Sequence, residues 1–184
     1  MDETPRQLIC QTRQSVPAQP GKPEQEDYEY QRLGVCNIFM ACEPLAGSRL
    51  TKVTERRTKT DWAHFIEDIA SSYPHAQRIT LVMDNLNTHT DAVFYQHLPP
   101  AQARALAARF ELHYTPKNAS WLNMVELELS AIARQCLHQR IPTLEELTAH
   151  VAACVAERNT AQATVKWQFI LEKARVKLDR HYQK

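Results

Sequence analysis

Glycine is scarce, with three in 184 residues (Gly21, Gly34 and Gly47). None stands in a GxGxxG or GxxxxGK arrangement, which excludes the glycine-rich phosphate cradles of dinucleotide-binding folds and P-loops. No apolar run reaches the ~18 residues that a membrane span needs. The start, Met1-Asp2-Glu3, carries neither the basic nor the apolar stretch of a secretion signal. The expectation is a cytoplasmic protein with no membrane partner. The five cysteines (Cys10, Cys36, Cys42, Cys136, Cys154) form no CxxC pair, so neither a zinc site nor a disulfide framework is expected, and all five read as reduced thiols. The net charge of +1 lacks the basic signature common among nucleic-acid binders, so such a partner must be met by local patches.

What is there suits one globular domain: 43% hydrophobic and 23% charged residues, over a length typical of a single core. Residues 1–33 are polar and punctuated by Pro5, Pro17, Pro20 and Pro23, and read as a long loop with at most a hairpin, Leu8 and Ile9 alone reaching the core. Gly34 to Ala41 and Arg49 to Glu55 read as strands. Thr60 is the expected cap of a helix in which Trp62, Phe65, Ile66, Ile69 and Ala70 recur with the spacing of one buried face, ending before Pro74. Ile79 to Met83 is a continuous apolar run, expected as a strand buried on both faces. A polar turn from Asn85 to His89 follows, then a helix to about Leu98, and Pro99-Pro100 opens another through Phe110. Glu111 to Tyr114 is the next strand. Residues 120–139 read as one long helix capped by Ser120, with Leu122, Val125, Leu129, Ile132 and Cys136 as its stripe. Helices near 143–158 and 167–182 complete a mixed α/β domain.

In such sheets, active sites gather beyond strand carboxyl ends, which puts Asp84 in a suspect position. An aspartate followed by Asn-Leu-Asn is, on the simpler reading, a turn former or helix cap; the alternative is a ligand for a hard cation, which needs only one or two carboxylates from distant segments. Glu126 and Glu128 form a second acidic feature on the helix after Ser120, on opposite edges of its apolar stripe. Periodicity does not choose between them, and either also suits the positive end of a helix dipole.

Taken together, several stretches resemble the catalytic domain of bacterial insertion-sequence transposases of the mariner-related branch, with a DDE endonuclease core. They are Tyr28-Glu29-Tyr30, Glu43-Pro44-Leu45-Ala46-Gly47, Lys52-Val53-Thr54-Glu55-Arg56-Arg57-Thr58, Leu81-Val82-Met83-Asp84-Asn85-Leu86-Asn87-Thr88-His89, and His113-Tyr114-Thr115-Pro116-Lys117-Asn118-Ala119-Ser120-Trp121-Leu122-Asn123-Met124-Val125-Glu126. The resemblance covers nearly the whole chain, residues 1–184 being read as one catalytic domain. It implies an RNase H-like α/β fold, a mixed sheet flanked by helices with a helical C-terminal extension. Asp2, Asp84 and Glu126 would be the carboxylates that hold two Mg²⁺ or Mn²⁺ ions, so the resemblance selects Glu126 over Glu128. Asn85, His89, Asn123 and Lys117 would be neighbours that orient a ligand or touch DNA, although His89 equally suits a capping or core histidine. The implied chemistry is in-line cleavage and strand transfer of phosphodiesters, in which one ion activates the nucleophile and the other steadies the leaving oxygen.

The implied partner is double-stranded DNA, as element ends and as target, with a homo-oligomer and a nucleoid-associated location in the bacterial cytoplasm. Arg56, Arg57 and Arg134 are the expected phosphate contacts, within a basic stretch that includes Lys52 and Lys59 and beside Arg140; residues 166–184 add six Lys or Arg against two acids. Family members place the first aspartate inside the central strand and carry an amino-terminal helix-turn-helix region. Here that aspartate is residue 2. The expectation is therefore a truncated first strand, lost ladder partners for Val35 to Phe39, and a separate or upstream helix-turn-helix part. The alternative function is a non-catalytic remnant that binds DNA or a full-length transposase.

Overall fold

The computed structural model describes residues 1–84, 90–116, 120–168 and 170–182. Strand β1 (Asp2–Gln11) pairs antiparallel along its whole length with β2 (Tyr30–Glu43), which pairs on its other side with β3 (Ser48–Thr54). Strands β4 (Ile79–Met83) and β5 (Phe110–Tyr114) form a parallel pair. The two sheets meet where the Met1 amino group donates to the Val82 carbonyl at 2.5 Å. Helices α1 (Lys59–Ser72), α2 (Phe94–His97), α3 (Pro100–Arg109), α4 (Val125–Gln135), α5 (Leu144–Thr160) and α6 (Leu171–Tyr182) complete the described chain.

Within the first 33 residues Asp2–Gln11 is a strand and not a loop, while the expected hairpin forms after it. β1 occupies the polar stretch, and Val35 and Phe39 pair with Gln7 and Glu3, so the expected loss of ladder partners does not occur. The strand escaped notice because its residues serve an edge: Pro5, which lacks a donor, is tolerated there, and polar side chains alternate over a half-buried surface. Between β1 and β2 the chain turns back through bridges Val16 to Gln25 and Gln19 to Lys22.

Alternation along β2 creates two cores, one per sheet face. Cys36, Ile38 and Met40 point to a core shared with Val125, Leu129 and Ile132 of α4 and Leu147 and Val151 of α5. Phe39 points to the other, with Trp62, Phe65, Ile66 and Ile69 of α1 and with Met83 and Phe94. All five α1 residues chosen by spacing are buried. Trp62 stacks on Phe94 with ring centroids 5.3 Å apart and planes 6° from parallel, an offset-stacked arrangement that aromatic pairs favour.

Other details depart from expectation. The cap of α1 is Thr58 and not Thr60: Thr58 and Asp61 exchange side-chain and backbone hydrogen bonds in a capping box. β4 is not buried on both faces, since Leu81 and Met83 are buried while Val82 is 46% exposed. The long helix expected from Ser120 is a 3-10 turn (Ser120–Leu122) followed, after Asn123, by the shorter α4, so Ser120 caps nothing in α4. Cys136, at the end of α4, is disulfide-bonded to Cys154 of α5. The expectation of five reduced thiols is corrected for this pair, which the packing of α5 on α4 brings together across 18 residues.

Candidate metal centre

Antiparallel pairing puts directly opposite side chains on one face. Asp2 lies opposite Met40 and so on the α4 side of the sheet, whereas Glu3 lies opposite Phe39 on the α1 side. Asp2 is buried, with Oδ1 accepting from the Glu3 amide at 2.8 Å. Its Oδ2 lies 3.4 Å from Nδ2 of Asn123, which donates to the Met1 carbonyl at 2.8 Å. The break before α4 creates this arrangement. Asn123, 4% exposed, bonds through its own amide to Ser120 and receives the Glu126 amide on its carbonyl, so it ties the start of β1 to the first turn of α4.

Asp2 and Glu126 line one open cavity of about 340 Å³ together with Glu3, Thr4, Leu129, Ser130 and Ala133. Asp84 follows β4 directly and is half-buried. Burial is the main reason that the Asp2 carboxyl is raised to about 6; the Glu3 amide pulls the other way, and the negative charges of Asp84, Glu3 and Glu126 add to the rise. The charges of residues 84 and 126 thus both bear on Asp2. Burial also lowers the Met1 ammonium, although neighbouring Cys42, Asp2, Glu3 and Asp84 favour its charge.

Glu128 has the opposite fate. It is 2% exposed and accepts from Arg49 Nε and Nη2 at 2.6 and 2.7 Å and from Arg158 Nε and Nη2 at 3.1 and 2.9 Å. Burial alone would raise it most, but the hydrogen bonds and charges of Arg49 and Arg158 together outweigh that and hold its carboxyl below the usual range. Sequence reasoning passed over both arginines. The sequence offered little signal for them, since Arg49 shares β3 with Thr51, Lys52 and Thr54 and is not its only polar residue.

The basic residues divide in the same way. Arg56 and Arg134 are exposed. Arg57 is half-exposed with Nη1 at 3.7 Å from the fully buried Glu3 carboxylate, on the α1 face and so across the sheet from Asp2. Lys52 is engaged with Asp68 of α1 at 2.7 Å. Arg140 donates to the Glu29 and Asp27 carbonyls and stacks over Tyr30, which makes it an anchor for the β1–β2 connection. Asn85, His89 and Lys117 lie outside the described residues. Among the described residues, no group of three His, Cys, Asp or Glu side chains is arranged to hold a metal ion directly, and no helix is long and apolar enough to cross a membrane.

The chain folds as a mixed α/β domain in which Asp2 opens β1, Asp84 follows β4 and Glu126 lies in the first turn of α4. The family model for DDE superfamily endonucleases matches residues 1–148, and the chain belongs to that family. Neither a curated protein nor a solved structure matches it. Domains of this superfamily act on DNA and generally use divalent metal ions.

Proposed function

We propose that this chain is the catalytic domain of a bacterial insertion-sequence transposase of the mariner-related branch, RNase H-like in fold, which cleaves DNA and transfers strands during transposition. What supports the reading is that Asp2 and Glu126, 124 residues apart, line one open cavity, and that the negative charges of Asp84 and Glu126 bear on the Asp2 carboxyl. The donor chemistry fits a hard divalent cation: the groups are carboxylate oxygens of like charge, and an ion that keeps several waters needs few protein ligands. Asp2, Asp84 and Glu126 would hold two Mg²⁺ or Mn²⁺ ions. When bound, such ions supply an activated water and a stabilised leaving oxygen for in-line displacement.

The chain's own residues do the rest. Asn123 orients the Asp2 carboxylate and fixes the β1 start against α4. Exposed Arg56 and Arg134 contact phosphates, which positions DNA without reading its sequence. The DNA partners are element ends and target, met in the bacterial cytoplasm together with a helix-turn-helix part and a second copy of the chain. Nicking of supercoiled plasmid, followed against Mg²⁺ and Mn²⁺ concentration, tests the reading. The wild-type chain is expected to nick only with a divalent ion, and Asp84→Asn to lose nicking while keeping the wild-type circular dichroism spectrum. An Asp84→Asn protein as active as wild type would overturn the assignment. Joining of a pre-cleaved end to target DNA separates strand transfer from simple hydrolysis.

A further inference from the structure

We infer that Glu128 is a positioning residue for the acidic site: its buried fork with Arg49 and Arg158 sets the rotation of α4 about its own axis and so directs Glu126 and Asn123 toward Asp2. The inference rests on the metal-centre reading above and extends it to three residues, none of which lines the acidic cavity.

α4 meets the sheet otherwise through Val125, Leu129 and Ile132. Apolar burial is non-directional as a driving force, and these three side chains bring no hydrogen-bonded direction to the contact. No side chain caps the amino end of α4 either. The fork supplies the missing direction. Arg49 grips both oxygens of Glu128 in its plane, and a two-point guanidinium–carboxylate pair tolerates little rotation. Arg49 is itself fixed, donating to the Gly47 carbonyl at 2.8 Å and to the Ala163 carbonyl, while Asn159 Nδ2 donates to the Arg49 carbonyl at 2.9 Å. Arg158 brings α5 to the same carboxylate. Glu126 stands two residues earlier, roughly 200° around the helix, so fixing the azimuth of Glu128 against β3 fixes that of Glu126 on the far side. A buried ion pair is by itself weak evidence for stability. Its geometric specificity is what the site uses.

The test is Mn²⁺ binding to the full chain, read from the free-ion electron paramagnetic resonance signal well below each variant's unfolding transition. Replacing the whole cluster by apolar groups, Arg49→Met with Glu128→Leu and Arg158→Met, removes direction while roughly keeping volume and leaves no charge without its partner, and Arg158→Gln removes one arm only. The triple variant is expected to melt near the wild-type temperature and yet bind Mn²⁺ roughly tenfold more weakly, as loss of outer-shell support typically does, with the affinity of Arg158→Gln between the two. Unchanged Mn²⁺ affinity in the folded triple variant overturns the inference. So does affinity that merely tracks melting temperature across the set. Should the triple variant not fold, Arg158→Gln decides: unchanged affinity overturns the inference, and weakened affinity at an unchanged melting temperature supports it. A wild-type chain that binds no Mn²⁺ overturns the metal-centre reading itself and this inference with it, a result distinct from wild-type binding that the variants leave intact.

Discussion

Two edges of one helix place acid under opposite conditions. On one edge of α4, Glu126 shares a cavity with Asp2, whose carboxyl is driven upward by burial and by the like charges of Asp84, Glu3 and Glu126. On the other, Glu128 is gripped by Arg49 and Arg158 and held below the ordinary range. Compensated charge of the second kind holds elements in place. Crowded like charge of the first kind costs stability, and folds retain it where a cation or reacting group supplies the compensation.

The comparison can be broken most directly by removing its acidic side. Glu126→Gln is expected to lower divalent-ion-dependent nicking by roughly a thousandfold, the rate equivalent of several kcal/mol of transition-state stabilisation, while Glu126→Gln and wild type unfold alike in urea. Next in size is the compensated side: Glu128→Ala leaves two arginines facing an apolar space and should cost about 3–5 kcal/mol of unfolding free energy, measured by urea denaturation. A cost below about 1 kcal/mol would equate this cluster with an exposed ion pair.

A gain of stability is expected at Asp2. Its carboxyl lies at about 6 in the fold against an ordinary 3.8, so the protonated form is the one the fold favours. That contribution is complete below the ordinary carboxylate range and is lost as pH rises through about 6, leaving ionised Asp2 as a burden at neutral pH. Asp2→Asn should therefore raise stability by up to about 2 kcal/mol at pH 8 and by nothing near pH 3, seen as melting curves that converge in acid. Smallest is the exposed pair: Lys52→Ala, which frees Asp68, should change stability by less than about 1 kcal/mol, and added salt should shrink even that.

Where one period dominated, the fold was legible. The α1 face, from Trp62 to Ala70, has the spacing of a helix and is buried as expected, and the apolar runs of β2 and β4 became strands. β1 was not legible in the residue pattern, and only the resemblance pointed to a first strand there, because an edge strand whose partners arrive from residues 30–40 needs no apolar run of its own. The break at Asn123 was hidden as well, since Leu122 before it and Val125, Leu129 and Ile132 after it keep one helical spacing across it. Thr58 and Thr60 were equally good caps in sequence, and the reciprocal bond with Asp61 distinguished them.

From the sequence alone came the alternation of strands and helices, the place of Asp84 directly after β4, and motifs specific enough to point to a DDE endonuclease. These depend on local spacing, which a linear chain records. Only the tertiary structure decided that Asp2 faces α4 while Glu3 faces α1, that Glu128 is bound by Arg49 and Arg158 while Glu126 opens on the cavity, and that Cys136 meets Cys154. Each of these is a matter of which side chain meets which across 18 to 124 residues, and the energy of a charge or a thiol depends on that neighbour far more than on its own position in the chain.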